Sequence, residues 1–574
     1  MSMHRELGKS KLFRDALYDF TLPSPERHQI TFNRAEAIAR SSNYTLKDVY
    51  EISEHFWLGA IDPLVVIDVA AYSTTLIQFN LATGTLSAWA HRPEIAELCR
   101  QLLNWEVSSV LLNTSLTHSD LVSKSGHFLL TEVAHGLDTQ NIETTATQLP
   151  DGGFDLHTPH PGAAKFMPCT TPVGGIPRVA VVMARLIANG KFHGVRPFFV
   201  PLNDGKGTMN QGITSRGLPD RAGTRPMGNG ITTFTHVHLP ATAFLGDWET
   251  TLPPRIHLLA SIWRLGIGTT TLAGLAIPAL RVAAHVTADF ARQRQVTDSG
   301  GKTVPILSFR TTGTPIVKAL GQAAVLEAFY RELRPYYAAD PKTGKHTLTV
   351  DAINMRNFAL DGVQNIGSPP LAGNKHCLDG SSRRARPPSR KSIDAELRGM
   401  AIAEGDVLVL CIRLATEYLL GRYALPPPRY PDSPLAKHEK GIYDEMRDIL
   451  VALGSDHRSA AFNSALLPRS VPLVLAIGQR MAYEAALDAG VDSAFVRLYV
   501  SSGVLQDLAW YTESGLTTRV EAIKAEESAI TEALDIMEET LDKNGCAPLL
   551  HAPILSQSAW TEWVDTLPLH RSKL

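Results

Sequence analysis

The sequence predicts an α+β multidomain chain: an N-terminal helical domain, a central β-barrel or β-sandwich domain and two C-terminal helical bundles. Three observations predict it. Apolar residues recur at helical spacing before residue 129 and again beyond 250, whereas 129–250 switches to alternation and glycine-rich turns. At 574 residues the chain is too long for one compact domain. A proline-rich connector, Pro426-Pro427-Pro428-Arg429-Tyr430-Pro431, divides the C-terminal helices into two sets.

Taken in order, residues 1–128 form the first domain. Glu94-Ile95-Ala96-Glu97-Leu98-Cys99-Arg100-Gln101-Leu102-Leu103 has helical periodicity, while the apolar run Leu58–Val69 fits helix or strand. In the β domain, 129–250, Asp151-Gly152-Gly153 between two short alternating runs signals a hairpin. Val179–Leu186 and Val195–Val200 read as strands joined through Asn189-Gly190; glycine is frequent over 205–230, and Thr232–Leu239 alternates. The first bundle, 251–425, holds helical patterns at Ile256–Leu265, Leu272–Arg294 and Pro315–Leu333, with Gly300-Gly301 breaking the last two apart. A less regular stretch follows, with the basic run Lys375–Lys391 read as a solvated loop, and then a helix over 405–421. The second bundle, 432–574, carries helical patterns at 435–455, 470–490, 494–513 and 517–543. No internal repeat of fixed period is seen.

Composition narrows the function classes. Apolar residues make up 44% and charged residues 20%, ordinary for a globular protein. A net charge of −2 leaves no basic footprint for nucleic acid. Five cysteines, an odd number with no CxxC spacing, argue against a disulfide framework and against a structural metal. No run of 18 apolar residues appears, so no membrane span is expected. The N-terminal residues Arg5, Glu6, Lys9 and Lys11 surround no apolar signal core. The terminal Ser572-Lys573-Leu574 reads as a peroxisomal address, which makes an import receptor an expected partner.

The most informative stretch is 129–147, Leu-Leu-Thr-Glu-Val-Ala-His-Gly-Leu-Asp-Thr-Gln-Asn-Ile-Glu-Thr-Thr-Ala-Thr. It resembles the flavin-contacting segment of the acyl-CoA oxidase family, a Thr-Glu-x-x-His-Gly element followed by Glu-Thr-Thr-Ala-Thr. The resemblance implies FAD as cofactor, with Thr131 against the flavin ring, Gly136 turning the chain beneath it, and Glu132 and His135 toward the substrate. Lys165-Phe166-Met167-Pro168 resembles the family's Lys-Trp-Trp-Pro. Cys169-Thr170-Thr171 then replaces a glycine pair, and Gly174-Gly175 come later, so Thr170 and Gly174 are expected beside the flavin, with the side chains of 169 and 170 adding bulk there. Arg292-Gln293-Arg294-Gln295 resembles the element whose arginine reaches the flavin pyrophosphate; a guanidinium grips phosphate through paired donors. Arg294 is the favoured candidate and Arg292 the other. Arg310 stands where the family commonly has a glutamine. Asp361-Gly362-Val363-Gln364-Asn365-Ile366-Gly367 corresponds loosely to a segment that meets the partner subunit's flavin, so Gly362 is a cofactor candidate and a homodimer is implied.

Breaking a C–H bond next to a thioester needs a carboxylate at that carbon and hydrogen bonds to the thioester oxygen. Ala403-Glu404-Gly405-Asp406-Val407, which opens an apolar helix, resembles the family's Phe-Glu-Gly-Glu-Asn. Glu404 is therefore the candidate base, with Gly405 beside the substrate; the ordinary role for such a carboxylate is a helix N-cap. The resemblance implies an oxidase that turns an acyl-CoA into the trans-2-enoyl-CoA and dioxygen into hydrogen peroxide in the peroxisome. The rival readings are a dehydrogenase with a protein electron acceptor and a specialised or non-catalytic paralogue, both prompted by the departures at 169–171, 310 and 361–367.

Overall fold

The structure is a computed structural model that describes residues 2–14, 22–105, 125–220, 225–246, 254–338, 399, 406–422, 424–454, 456–551, 555–565 and 569. Its first part is helical, with the long helix Ser24–Ser42 and the helix Pro93–Asn104, which starts on a proline and buries Ile95, Leu98, Cys99 and Leu102. The undecided run Leu58–Val69 forms no strand. It contains the end of helix Glu54–Gly59, a 3₁₀ turn Pro63–Val66 and the start of helix Val69–Leu76. Two aspartates set these breaks: Asp62 accepts from the Leu64 N–H at 2.9 Å and Asp68 from the Ala71 N–H at 2.9 Å.

The β domain holds two sheets. Strands β1 (Ser125–Leu129), β2 (Thr145–Gln148), β3 (Phe154–His157), β5 (Arg178–Ala188) and β9 (Val237–Leu239) lie in the order β1-β5-β2-β3-β9, with β6 (Lys191–Asn203) also on β5. The second sheet is β4 (Lys165–Phe166), β8 (Gly230–Phe234) and β7 (Ile213–Gly217). Thus β1 starts four residues before the expected boundary at 129. The β5–β6 hairpin turns on Asn189 and Gly190, both at positive φ (50° and 69°), as the Asn-Gly pair predicts. The alternating run Thr232–Leu239 is not one strand. His236 takes φ 49°, and the chain leaves the small sheet for the large one there. Phe154, Phe198, Phe234 and Phe244 fill the space between the sheets with Leu156 and Val200.

Helices return with Pro254–Ser261, Arg264–Gly274 and Ala276–Gln293, a small hairpin over Gly300-Gly301, and the helix Arg310–Leu333. Val407–Leu419 follows. The last block is built on Pro434–Ala452, Ser470–Asp488, Ser493–Gln506 and Arg519–Asp535. The helices expected over 494–513 and 517–543 each break once, at Asp507 and Ile536; Asp507 caps its second piece, Leu508–Glu513.

The two C-terminal sets of helices do not have separate cores. One apolar core runs from Phe32 and Trp57 through Ile277 and Phe329 to Leu473, Phe495 and Ile530. Glycines permit the close approach between sets: a Cβ on Gly321 would lie 3.0 Å from the Phe495 ring, and one on Gly313 2.7 Å from Leu534. By length and composition alone, the helical stretches Arg264–Gln293 and Ala460–Asp488 are apolar enough to cross a membrane; the apolar window of the first is 94% buried inside the protein and that of the second 39%.

Candidate active site

The chain leaving β1 runs beside β4. The Phe166 N–H donates to the Thr131 carbonyl at 2.9 Å, and the Val133 N–H to the Ala164 carbonyl at 3.0 Å, so Glu132 and Lys165 become bridge partners. Side chains alternate across this pair of segments. Glu132 and Lys165 point inward and are fully buried. On the outer side, Val133 and Phe166 are 50% and 39% exposed, and Leu137 nearby is 55% exposed. The Thr131 side chain lies half-buried on that same side, and its hydroxyl has no protein partner among the described residues. The result is a mostly apolar outer face with one hydroxyl that has no partner among the described residues.

Beneath it, the Lys165 Nζ lies 2.9 Å from Glu132 Oε1 and donates to the Leu130 carbonyl at 3.1 Å. Glu132 also accepts from the backbone N–H groups of Glu143 at 2.6 Å and Thr144 at 3.0 Å. Burial pushes the Glu132 carboxyl up, but Lys165 and the two amides outweigh it and hold it below the ordinary range. Burial brings the Lys165 ammonium down to about 8 against the pull of Glu132. The expectation that Glu132 meets substrate is therefore corrected: its carboxylate faces the interior, and both oxygens are committed there.

Other expected site residues divide similarly. Gly136 is not the turning residue: the positive φ of 63° falls on Leu137, and a Cβ on Gly136 would meet nothing within 4 Å. His135 stays at the rim, 3.6 Å from Asp138 and 3.7 Å from Glu143, with His160 also on Glu143. Thr170 does not face outward. Its hydroxyl is held between Ser215 at 2.8 Å and Thr232 at 2.7 Å, where β7 and β8 meet. Cys169 is likewise buried, against Ala70 and Met227. The bulk expected at 169–170 is thus turned into the protein, because small polar side chains there complete an internal hydroxyl cluster. Gly174 adopts φ 80°, and a Cβ there would lie 2.7 Å from Phe32, so packing on the Ser24–Ser42 helix accounts for its lack of a side chain.

Of the two arginine candidates, Arg292 is engaged by Asp289 and Glu538. Arg294, the residue just after the Ala276–Gln293 helix, is exposed and has no side-chain partner among the described residues. Arg310 turns to the last helical block, donating to the Thr531 hydroxyl at 2.8 Å and to the Glu527 carbonyl. Glu404, Gly405, Gly362 and Ser572-Lys573-Leu574 lie outside the described residues. The N-cap of the following helix is Asp406, which accepts from the Val409 N–H at 3.2 Å, so that role does not fall to Glu404. Leu408 and Val409 in its first turn are 53% and 42% exposed.

Sequence reasoning missed the buried charges. Asp68 lies 3.0 Å from Arg34 and 3.6 Å from Arg225, and Arg225 donates to the Ile67 carbonyl at 2.7 Å, which ties the β domain to the N-terminal helices. A charged residue alone between apolar neighbours, as in Ile67-Asp68-Val69 and Ala164-Lys165-Phe166, was the available signal.

No protein-family profile matches the chain. Among curated proteins it is 28% identical over 257 residues to acyl-coenzyme A oxidase 4 of Candida tropicalis, covering 42% of this chain and 32% of that protein. It is 36% identical over 119 residues to an acyl-coenzyme A oxidase of Komagataella pastoris, covering 20% and 16%. It is 28% identical over 225 residues to the human peroxisomal acyl-coenzyme A oxidase 3, covering 36% and 31%. The matched stretches span about a third or less of these relatives' own length. Among solved structures, acyl-CoA oxidase 1 of Yarrowia lipolytica superposes with a TM-score of 0.76 at 16% identity, over 97% of this chain and 88% of that one. Acyl-CoA oxidase-1 of Caenorhabditis elegans, solved with FAD and ATP, gives 0.70 at 17% identity, over 100% and 93%. The chain thus shares the fold of acyl-CoA oxidases along its whole length and is similar to them in sequence over part of it.

Proposed function

We propose that the chain is an FAD-dependent oxidase of acyl-CoA thioesters that makes the trans-2-enoyl-CoA and hydrogen peroxide. The observation that carries the reading is the outward face of Thr131, Val133 and Phe166: exposed apolar side chains around one hydroxyl with no partner among the described residues suit a planar ring with polar edges. Arg294, exposed and without a side-chain partner among the described residues, suits a pyrophosphate. When bound there, FAD supplies a hydride acceptor at N5 and a route for the electrons to dioxygen. Glu404, two residues ahead of the Asp406 cap, takes the α proton; the open first turn at Leu408 and Val409 offers apolar lining for an acyl chain. His135 and Gly405 are the remaining substrate-side candidates, and Gly362 is the candidate toward a partner subunit's flavin in a homodimer. The inward turn of Cys169 and Thr170 removes one ground for the dehydrogenase rival, since no bulk from these side chains is directed to the ring face. A relative named as a peroxisomal oxidase supports the peroxisome as the place of action.

The absorption spectrum of the purified protein tests this reading. A flavin band that bleaches on anaerobic addition of an acyl-CoA, then returns in air with one hydrogen peroxide per enoyl-CoA, is the expected result. A protein that takes up no FAD overturns it. Turnover that stops after one cycle in air and resumes only with an artificial acceptor replaces it with the dehydrogenase.

A further inference from the structure

We infer that the buried Lys165–Glu132 pair is a positioning device that sets the register of two strand segments and so holds Thr131 and Phe166 in one plane for the flavin; this rests on the oxidase reading. A slip of one residue in a strand pair exchanges its inner and outer faces. Here such a slip would carry Thr131 or Phe166 inward and leave an ion in the apolar interior. The pair prevents it because each charge has its ion-pair partner directly across the bridge, 2.9 Å away and fully buried. A buried ion pair adds little net stability over an apolar pair of similar shape, and register is its best-attested use. Glu132 extends the hold to a third segment through the Glu143 and Thr144 amides, just ahead of β2. The hydrogen bonds that align the outer face, Phe166 N–H to Thr131 and Val133 N–H to Ala164, flank the pair on both sides.

The test uses the full chain carrying Glu132→Gln with Lys165→Met, which removes both charges but keeps size and one acceptor for the amides. Either single variant leaves a lone buried charge and is the less informative. Two readouts are taken: hydrogen exchange at the Val133 and Phe166 amides in the FAD-free protein, and FAD affinity by titration of that protein. The expected result is a double variant with wild-type far-ultraviolet dichroism, faster exchange at these two amides but not in helix Pro434–Ala452, and FAD binding weakened about tenfold or more. Unchanged exchange and unchanged FAD affinity overturn the inference. A wild-type protein that binds no FAD overturns the oxidase reading instead, and the exchange readout then still decides whether the pair locks the register.

Discussion

Two clusters of buried charge can be set side by side. In the β domain one lysine meets one carboxylate, and backbone amides complete the set. In the last helical block Arg480 meets two carboxylates, Glu439 and Glu484, and Glu484 also meets Arg429. The first is small and balanced and lies under an exposed face. The second is larger, with two arginines and two glutamates, and joins helices Pro434–Ala452 and Ser470–Asp488 to the proline-rich connector. The same physical device therefore does two jobs. Between strands, where faces alternate residue by residue, it decides which side chains look outward. Between helices, it decides only how the helices are staggered.

Four predictions break or sharpen this contrast. The largest effect belongs to neither cluster. Glu404→Gln removes the proposed base while nearly keeping size, and turnover should fall by about 10²–10⁴ with flavin content unchanged; a wild-type rate would mean that another group takes the proton. Next come the single cluster variants. Lys165→Met and Arg480→Met each strand a buried carboxylate, and each should cost about 3–5 kcal/mol in urea unfolding. Only Lys165→Met should also weaken FAD retention, so equal FAD affinity in the two variants at low urea would erase the distinction drawn above.

Acid should act on the clusters in opposite directions. Glu132 is held below its ordinary value of 4.5, so it contributes stability above that value that is lost as pH falls through its folded pKa. Burial raises Glu439 above 4.5 against the pull of Arg480, so its penalty is absent below 4.5 and grows as pH rises through its folded pKa. Glu132→Gln should flatten the acid limb of the stability curve, and Glu439→Gln should flatten an opposing slope just above pH 4.5, both read from urea midpoints against pH. The smallest effects concern the turn beside the site. Gly136→Ala should be nearly silent, because its Cβ meets nothing within 4 Å. Leu137→Gly should raise stability by about 1 kcal/mol, since a bulky residue at positive φ carries a cost that glycine does not. Thermal melts of the two variants check the pair, and a destabilised Leu137→Gly would show that the leucine side chain is worth more than its strain.

Much of the architecture was legible because helix and strand periods differ and persist over many residues. The Asn189-Gly190 hairpin was legible for a local reason: both residues tolerate positive φ. The breaks at His236, Asp507 and Ile536 were not, since one residue's backbone angle or cap decides them inside an otherwise continuous pattern. At the candidate site, the motif marked a segment but not its phase. Whether Thr131 or Glu132 looks outward depends on what lies across the bridge, and Lys165 is 33 residues away. The fate of Thr170 was hidden similarly: its partners Ser215 and Thr232 come from strands 45 and 62 residues distant. Arg310 was marked as a departure from the family, and the structure supplies its use, a link to the last helical block.

The close approach through Gly313 and Gly321 has a consequence for modularity. The proline-rich connector looks like a place to cut the chain, yet Phe495 and Leu534 are seated on the Arg310–Leu333 helix from beyond it. A cut at Pro427 would leave two fragments, each with a raw apolar wound and neither with a finished interior. The helical blocks should therefore melt together and resist being expressed apart, and co-expressed halves should recombine. In this chain the visible seam and the thermodynamic seam do not coincide.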